Sequence, residues 1–88
     1  MALTVKLYTK DQCPYCDRAK ALLQQRGIPY EEDRSVWTND EAKMALVKRS
    51  GMKTVPQIFH GDRLIGGYTE LAELDAKDGL ASLRAQSS

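Results

Sequence analysis

Val5-Lys-Leu-Tyr-Thr-Lys-Asp-Gln-Cys-Pro-Tyr-Cys-Asp-Arg-Ala-Lys-Ala-Leu-Leu-Gln-Gln-Arg-Gly27 contains a strand, a break and a helix in immediate succession. Leu3, Val5 and Leu7 alternate with Thr4 and Lys6, the period of a strand with one buried face. After Asp11 and Gln12 the period changes. Tyr15, Ala19, Leu22 and Leu23 recur at helical spacing and form one apolar face. Pro14 suits the first helical position, where its fixed φ helps and its missing N–H is not needed. Gly27 and Pro29 then supply a stop. This framing makes Cys13 the residue that caps the helix, with Cys16 one turn inside it.

The rest of the chain extends the same pattern. Residues 28–33 read as a short strand, and Glu31, Glu32 and Asp33, poor strand formers, put it at an edge. Thr38-Asn-Asp-Glu41 has the form of a capping box opening a second helix, which runs through Ala42, Ala45 and Leu46 to Gly51. Residues 55–59 and 63–65 read as two strands of a hairpin turning at His60-Gly61-Asp62. After Gly66-Gly67, Thr69 is the expected cap of a last helix with Leu71 and Leu74 inward and a Glu73–Lys77 pair. A turn at 80–83 follows Gly79, and residues 85–88 form a short polar tail. The order β-α-β-α-β-β-α combines a right-handed parallel crossover with an antiparallel hairpin. An α/β fold with a mixed four-stranded sheet flanked by three helices is expected.

Eighty-eight residues suffice for one domain, so residues 1–88 are read as a single unit with its core at about 3–83. Thirteen basic against twelve acidic side chains leave a net charge of +1. That balance argues against a general grip on nucleic acid. No apolar run is long enough to cross a bilayer, and Lys6 and Tyr8 interrupt what a signal peptide would need unbroken. A cytoplasmic, non-membrane protein is the expectation. Two cysteines are too few for the disulfide framework of a small secreted domain.

Their position suggests chemistry instead. Unpaired N–H groups and the positive end of the helix dipole favour negative charge at a helix start, so Cys13 is favoured as a thiolate. The N–H groups of Tyr15 and Cys16 are expected to point at its sulfur, with Lys10 adding a screened positive charge. Cys16, with its sulfur directed back along the helix, is expected to be more buried and to ionise later. A zinc site is the bland alternative. It usually needs four ligands, and the only other candidate is His60, which reads as a solvated turn residue; no metal site is expected. Redox chemistry is favoured.

Three motifs in order, Tyr8-Thr-Lys-Asp-Gln-Cys-Pro-Tyr-Cys16 with Arg18-Ala-Lys-Ala-Leu-Leu23, Thr54-Val-Pro-Gln-Ile-Phe59 and Ile65-Gly-Gly67, resemble those of the glutaredoxins. The resemblance spans nearly the whole chain. It implies a thioredoxin-like fold and glutathione as co-substrate, with no permanently bound cofactor. It implies Cys13 as the nucleophile and Cys16 as the resolving thiol. Lys10, Tyr15, Lys43, Thr54, Val55, Pro56, Gly67, Tyr68 and Thr69 fall on positions that line the glutathione groove, with Lys10 and Lys43 facing the glycine carboxylate. Pro56 matches a cis-proline whose bond would leave the Val55 backbone free to pair with the tripeptide. The N–H groups of Tyr68 and Thr69 would receive the γ-glutamyl carboxylate. Glutathionylated or disulfide-bonded proteins are the implied clients, and a monomer is expected.

Two features depart from the family pattern. Tyr68-Thr69-Glu70 follows the glycines where relatives commonly carry an acidic residue at position 69, so the γ-glutamyl ammonium lacks its expected partner. Arg34-Ser-Val-Trp37 replaces a more apolar stretch, and Trp37 is expected to pack against the entry of the second helix. Two rival functions also stand: a glutathione-ligated iron–sulfur carrier, and a redoxin reduced by a flavoprotein thioredoxin reductase.

Overall fold

The Val5–Tyr8 alternation forms β1, with Val5 and Leu7 buried and Lys6 and Tyr8 turned to the other face. The computed structural model describes residues 4–81 and 83; Leu3 and the tail at 85–88 lie outside them. α1 spans Pro14–Gln25 and buries Cys16, Ala19 and Leu23. It ends where Gly27 takes a positive φ of 69°, as Gly27 and Ile28 donate back to Gln24 and Leu23. β2 (Tyr30–Asp33) follows, then a short 3₁₀ turn at Val36–Thr38, α2 (Asp40–Ser50), β3 (Gln57–His60), β4 (Arg63–Gly66) and α3 (Tyr68–Asp78).

β1 lies parallel to β2 and antiparallel to β3, and β3 is antiparallel to β4, giving the strand order β2-β1-β3-β4. This is the mixed sheet with three helices, in the thioredoxin-like arrangement that the resemblance implies. β2 is an edge strand, as its acidic residues suggested. Val5, Leu7 and Ile58 from the sheet, Ala19 and Leu23 from α1, and Leu71 from α3 meet in one core, closed by Leu80 and Leu83. A bidentate pair between Arg26 and Asp75, at 2.6 and 3.0 Å, joins the end of α1 to α3. On the opposite face Phe59 meets Tyr8 edge-on and lies 4.4 Å under the Arg49 guanidinium of α2.

Three local expectations are corrected. The cap of α2 is Asn39, whose side chain accepts from the Ala42 N–H at 3.1 Å. Thr38 instead closes the 3₁₀ turn and donates its hydroxyl to the Ser35 carbonyl. Asp33 makes that turn necessary: its Oδ1 accepts from the N–H groups of Ser35 and Val36 and from the Ser35 hydroxyl, which delays the helix by one residue. The cap of α3 is Gly67, and Thr69 sits exposed inside the first turn. His60 is not a turn residue. It ends β3, opposite Val5 and Arg63, and only 8% of it is exposed, because the hairpin needs just Gly61 and Asp62 to reverse.

Candidate active site

Cys13 caps α1 with an extended backbone (φ −116°, ψ 103°), and its carbonyl accepts the first helical bond from Asp17. Its Sγ accepts from the Cys16 N–H at 3.3 Å. Because Pro14 occupies the first helical position, that group is the donor the geometry delivers; no bond from the Tyr15 N–H, expected alongside it, is formed. The chain reaches this cap through Gln12, which takes a positive φ of 56°. The Cys13 thiol also points at the Val55 carbonyl, 3.9 Å away. Cys13 is 7% exposed and Cys16 only 1%, the order expected for an attacking and a resolving thiol. Burial first, and then its hydrogen bond with Cys13, push the Cys16 thiol up to about 12, partly offset by a contact with the Lys10 backbone.

Opposite the cysteines lie residues 52–56. The Val55–Pro56 bond is cis, as the resemblance implies. Gln57, fully buried, holds this segment: its Nε2 donates to the carbonyls of Met52 and Thr54, each at 3.0 Å. Gln57 was not singled out in the sequence, although an amide inside an otherwise apolar run, Val55-Pro-Gln-Ile-Phe59, was a visible signal. Gly66 and Gly67 bring the β4–α3 turn against the same segment. A Cβ at Gly67 would lie 3.4 Å from the Pro56 carbonyl oxygen, ordinary contact distance. Gly66 is different: its φ is 129°, and a Cβ there would come within 2.6 Å of Glu70. That carboxylate folds under the turn and accepts from the Gly67 N–H at 2.7 Å, a role the sequence reading did not give it.

Tyr15 and Tyr68 complete a wall beside Cys13, their ring centroids 6.1 Å apart. Tyr15 is 55% exposed, with the Arg18 guanidinium 5.2 Å from its ring. Cys13, Cys16, Tyr15, Val55, Pro56, Gly67 and Tyr68 are thus brought to one pole of the sheet, Lys10 reaches it through its backbone, and Thr54 and Thr69 border it by chain connection. Lys43 is placed otherwise. Its ammonium lies 4.8 Å from the centre of the Trp37 ring, so its contact is with the 3₁₀ turn rather than with the cysteines. Trp37 does pack at the entry of α2. His60 lies at the opposite end of β3 from Cys13, and no cluster of three or more potential metal ligands occurs among the described residues.

Residues 5–65 match the family model described as Glutaredoxin. The chain is 47% identical over 79 residues to Glutaredoxin 3 of Escherichia coli K12, covering 90% of this chain and 94% of that one. It is 40% identical over 80 residues to a glutaredoxin of Neisseria meningitidis, covering 91% and 94%. Among solved structures, a buckwheat glutaredoxin–glutathione complex superposes with a TM-score of 0.85 at 26% identity, covering 98% of this chain and 83% of that one. The solution structure of a Brucella melitensis glutaredoxin superposes at 0.80 with 39% identity, covering 93% and 88%.

Proposed function

The chain belongs to the glutaredoxin family and is a glutathione-dependent thiol–disulfide oxidoreductase; from that premise we propose that Cys13 is its attacking sulfur and Cys16 its resolving one. The inequality of the two thiols carries this assignment. Both are buried, but one sulfur sits at a helix start with an N–H directed at it, and the other lies deeper and is held up to about 12.

With a glutathionylated protein, the Cys13 thiolate attacks the glutathione sulfur. A bond forms between Cys13 and glutathione, the protein–glutathione bond breaks, and the departing protein thiolate takes up a proton. A second glutathione, as thiolate, attacks the sulfur bound to Cys13 and leaves as glutathione disulfide, restoring the Cys13 thiolate. With a protein disulfide, Cys13 attacks first and releases one client thiolate. Cys16 then gives up its proton and attacks the Cys13 sulfur. The second client thiolate departs, two electrons have passed to the client, and a Cys13–Cys16 disulfide remains. Burial is the main cause that holds the Cys16 thiol up; once Cys13 is in a disulfide, its hydrogen bond and charge no longer add to that burial, so loading the first sulfur eases ionisation of the second.

For glutathione itself, we assign strand-like pairing to the Val55 backbone, beside Thr54 and the cis-proline Pro56. The close turn at Gly67 leaves room for the peptide, and the N–H groups of Tyr68 and Thr69 receive the γ-glutamyl carboxylate. Tyr15 walls the groove, and Lys10 supplies positive charge toward the glycine carboxylate, Lys43 being turned to the Trp37 ring instead. Glutathione is then a co-substrate rather than a resident cofactor. Glutathionylated or disulfide-bonded proteins are the clients of this reading, and residues 1–88 act as one domain. No helix among the described residues is long and apolar enough to cross a membrane. The test is a pair of variants. Cys13→Ser is expected to lose both activities, and Cys16→Ser to keep deglutathionylation while losing reduction of protein disulfides. Loss of both activities in Cys16→Ser would overturn the one-cysteine cycle. In the same assay, turnover coupled to glutathione reductase is expected to exceed turnover with a thioredoxin reductase.

A further inference from the structure

Behind Cys16 the interior is not purely apolar. Thr9 extends the inward face of β1 one step beyond Val5 and Leu7 and is 1% exposed. Its hydroxyl donates to Glu32 Oε2 of β2 at 2.7 Å, and the same oxygen takes the Lys20 ammonium of α1 at 3.1 Å. The Lys20 and Glu32 side chains are each 24% exposed, and an Asp17 carboxylate oxygen lies 3.6 Å from the ammonium on its other flank. The bond to Glu32 leads in keeping this lysine protonated, against burial. A lysine side chain left to itself samples many rotamers. Here two carboxylates, one of them pinned by Thr9, fix where the charge lies.

Lys20 stands four residues after Cys16 on α1. Side chains at this spacing share one face of a helix, and the later one leans back towards the earlier. A sulfur 1% exposed is screened little by solvent ions, so a fixed cation one turn away is felt there. The Lys20 charge acts against the burial and the Cys13 contact that hold the Cys16 thiol up. Other charges around this end of α1 are engaged elsewhere. Arg34 reaches Asp11, Arg26 takes Asp75 of α3, and the Glu70 carboxylate accepts from the Gly67 N–H. Lys6 lies on the opposite face of β1, and Lys10 meets Cys16 through its backbone.

Building on the reading of Cys16 as the resolving thiol, we infer that Lys20 is a positioning residue of the resolving step. Glu32 and Thr9 hold its ammonium one helical turn behind Cys16, where it favours the thiolate that attacks the loaded Cys13. In that step the Cys16 proton passes to solvent and the thiolate forms a bond to the Cys13 sulfur. The bond from Cys13 to the client breaks, and the client sulfur leaves with the electron pair and takes up a proton. The first attack, by Cys13, does not draw on Lys20. Reduction of protein disulfides therefore depends on this lysine more than deglutathionylation does.

Stopped-flow mixing of the reduced protein with equimolar dithiobis(nitrobenzoate) separates the two steps. Cys13 attacks the reagent and releases one coloured thiolate, and Cys16 then displaces the second from the Cys13 mixed disulfide. Lys20→Met is expected to slow the second phase severalfold relative to the first. The loss is smaller than the change in thiolate fraction, because a thiol that ionises later is also the stronger nucleophile. Lys20→Gln keeps a hydrogen bond to Glu32 and loses only the charge; it is expected to slow the second phase equally, and Lys20→Arg to restore it. A second phase as fast in Lys20→Met and Lys20→Gln as in the unaltered protein overturns the inference. So does equal slowing of both phases, or a Lys20→Arg variant that fails to recover. Cys16→Ser run alongside is expected to lose the second phase altogether. If it keeps that phase, the assignment of Cys16 as the resolving thiol falls, and the role of Lys20 falls with it.

Discussion

A single N–H separates the behaviour of two sulfurs one helical turn apart. Cys16 gives its backbone donor to Cys13 and keeps its own thiol in the interior, so Cys13 alone is presented for attack. Iodoacetamide at pH 8 is therefore expected to place one adduct on the folded, reduced protein, at Cys13, by peptide mapping. Equal labelling of both thiols would contradict the assignment. The pair, its spacing and its place at a helix start were all legible in the sequence, because Pro14 and the apolar face behind it frame the helix locally. Gln57 and Glu70 were not. Each acts by reaching a backbone group that only the folded chain brings near: the Met52 and Thr54 carbonyls in one case, the Gly67 N–H in the other. At the γ-glutamyl end, Thr69→Asp supplies the acid missing beside these N–H groups and is expected to lower the KM for glutathione severalfold. An unchanged KM would remove that reading of position 69.

Helix starts are where the sequence reading and the structure part. Thr38-x-x-Glu41 and Asn39-x-x-Ala42 are both acceptable openings, differing by one residue, and local pattern cannot choose between them. The choice is made upstream, where Asp33 gathers three donors and commits residues 35–38 to a tighter turn. Asn39→Ala is accordingly expected to cost about 1 kcal/mol in urea unfolding, as loss of a capping side chain does. Thr38→Ala is expected to cost less than about half of that; the reverse order would restore the Thr38 cap. The β hairpin follows the same logic. The sequence reading placed the reversal at the three residues His60-Gly61-Asp62; the structure reverses over Gly61 and Asp62 alone, which draws His60 into the sheet and out of solvent. Element order, the parallel first pairing and the acidic edge were readable throughout, since they follow from hydrophobic period and strand composition rather than from any single residue.

Across the whole molecule, carboxylates tie α1 and the 3₁₀ turn to the β2 edge. Burial pushes the Glu32 carboxyl up, but the Thr9 hydroxyl at 2.7 Å and the Lys20 ammonium at 3.1 Å outweigh it and hold it below the ordinary carboxylate range. The Ser35 hydroxyl leads in holding Asp33 low, again against burial. Both groups release protons more readily folded than unfolded. The stability they contribute is therefore present above about pH 4.5 and lost as pH falls through their folded values. Urea midpoints are expected to stay level from neutral pH to about pH 5 and to drop below it, with a shallower drop in Thr9→Val. The central core sets the larger scale. Leu23, fully buried between the sheet and α3, is expected to cost about 2–5 kcal/mol as Leu23→Ala.

Gly66 and Glu70 occupy one volume. A Cβ at residue 66 would lie 2.6 Å from the Glu70 carboxylate and 2.7 Å from the Glu70 Cβ, so residue 66 has nowhere to put a side chain. The two positions therefore behave in inheritance as a linked pair. Gly66→Ala damages the protein more when Glu70 is present than when Glu70→Ala accompanies it, but the double variant still carries the close approach to the Cβ of residue 70 as well as the backbone strain of a positive φ. A lineage leaving this turn has to give up the Cβ of residue 70 first, which makes the order of substitutions, and not only their identity, a property of the fold.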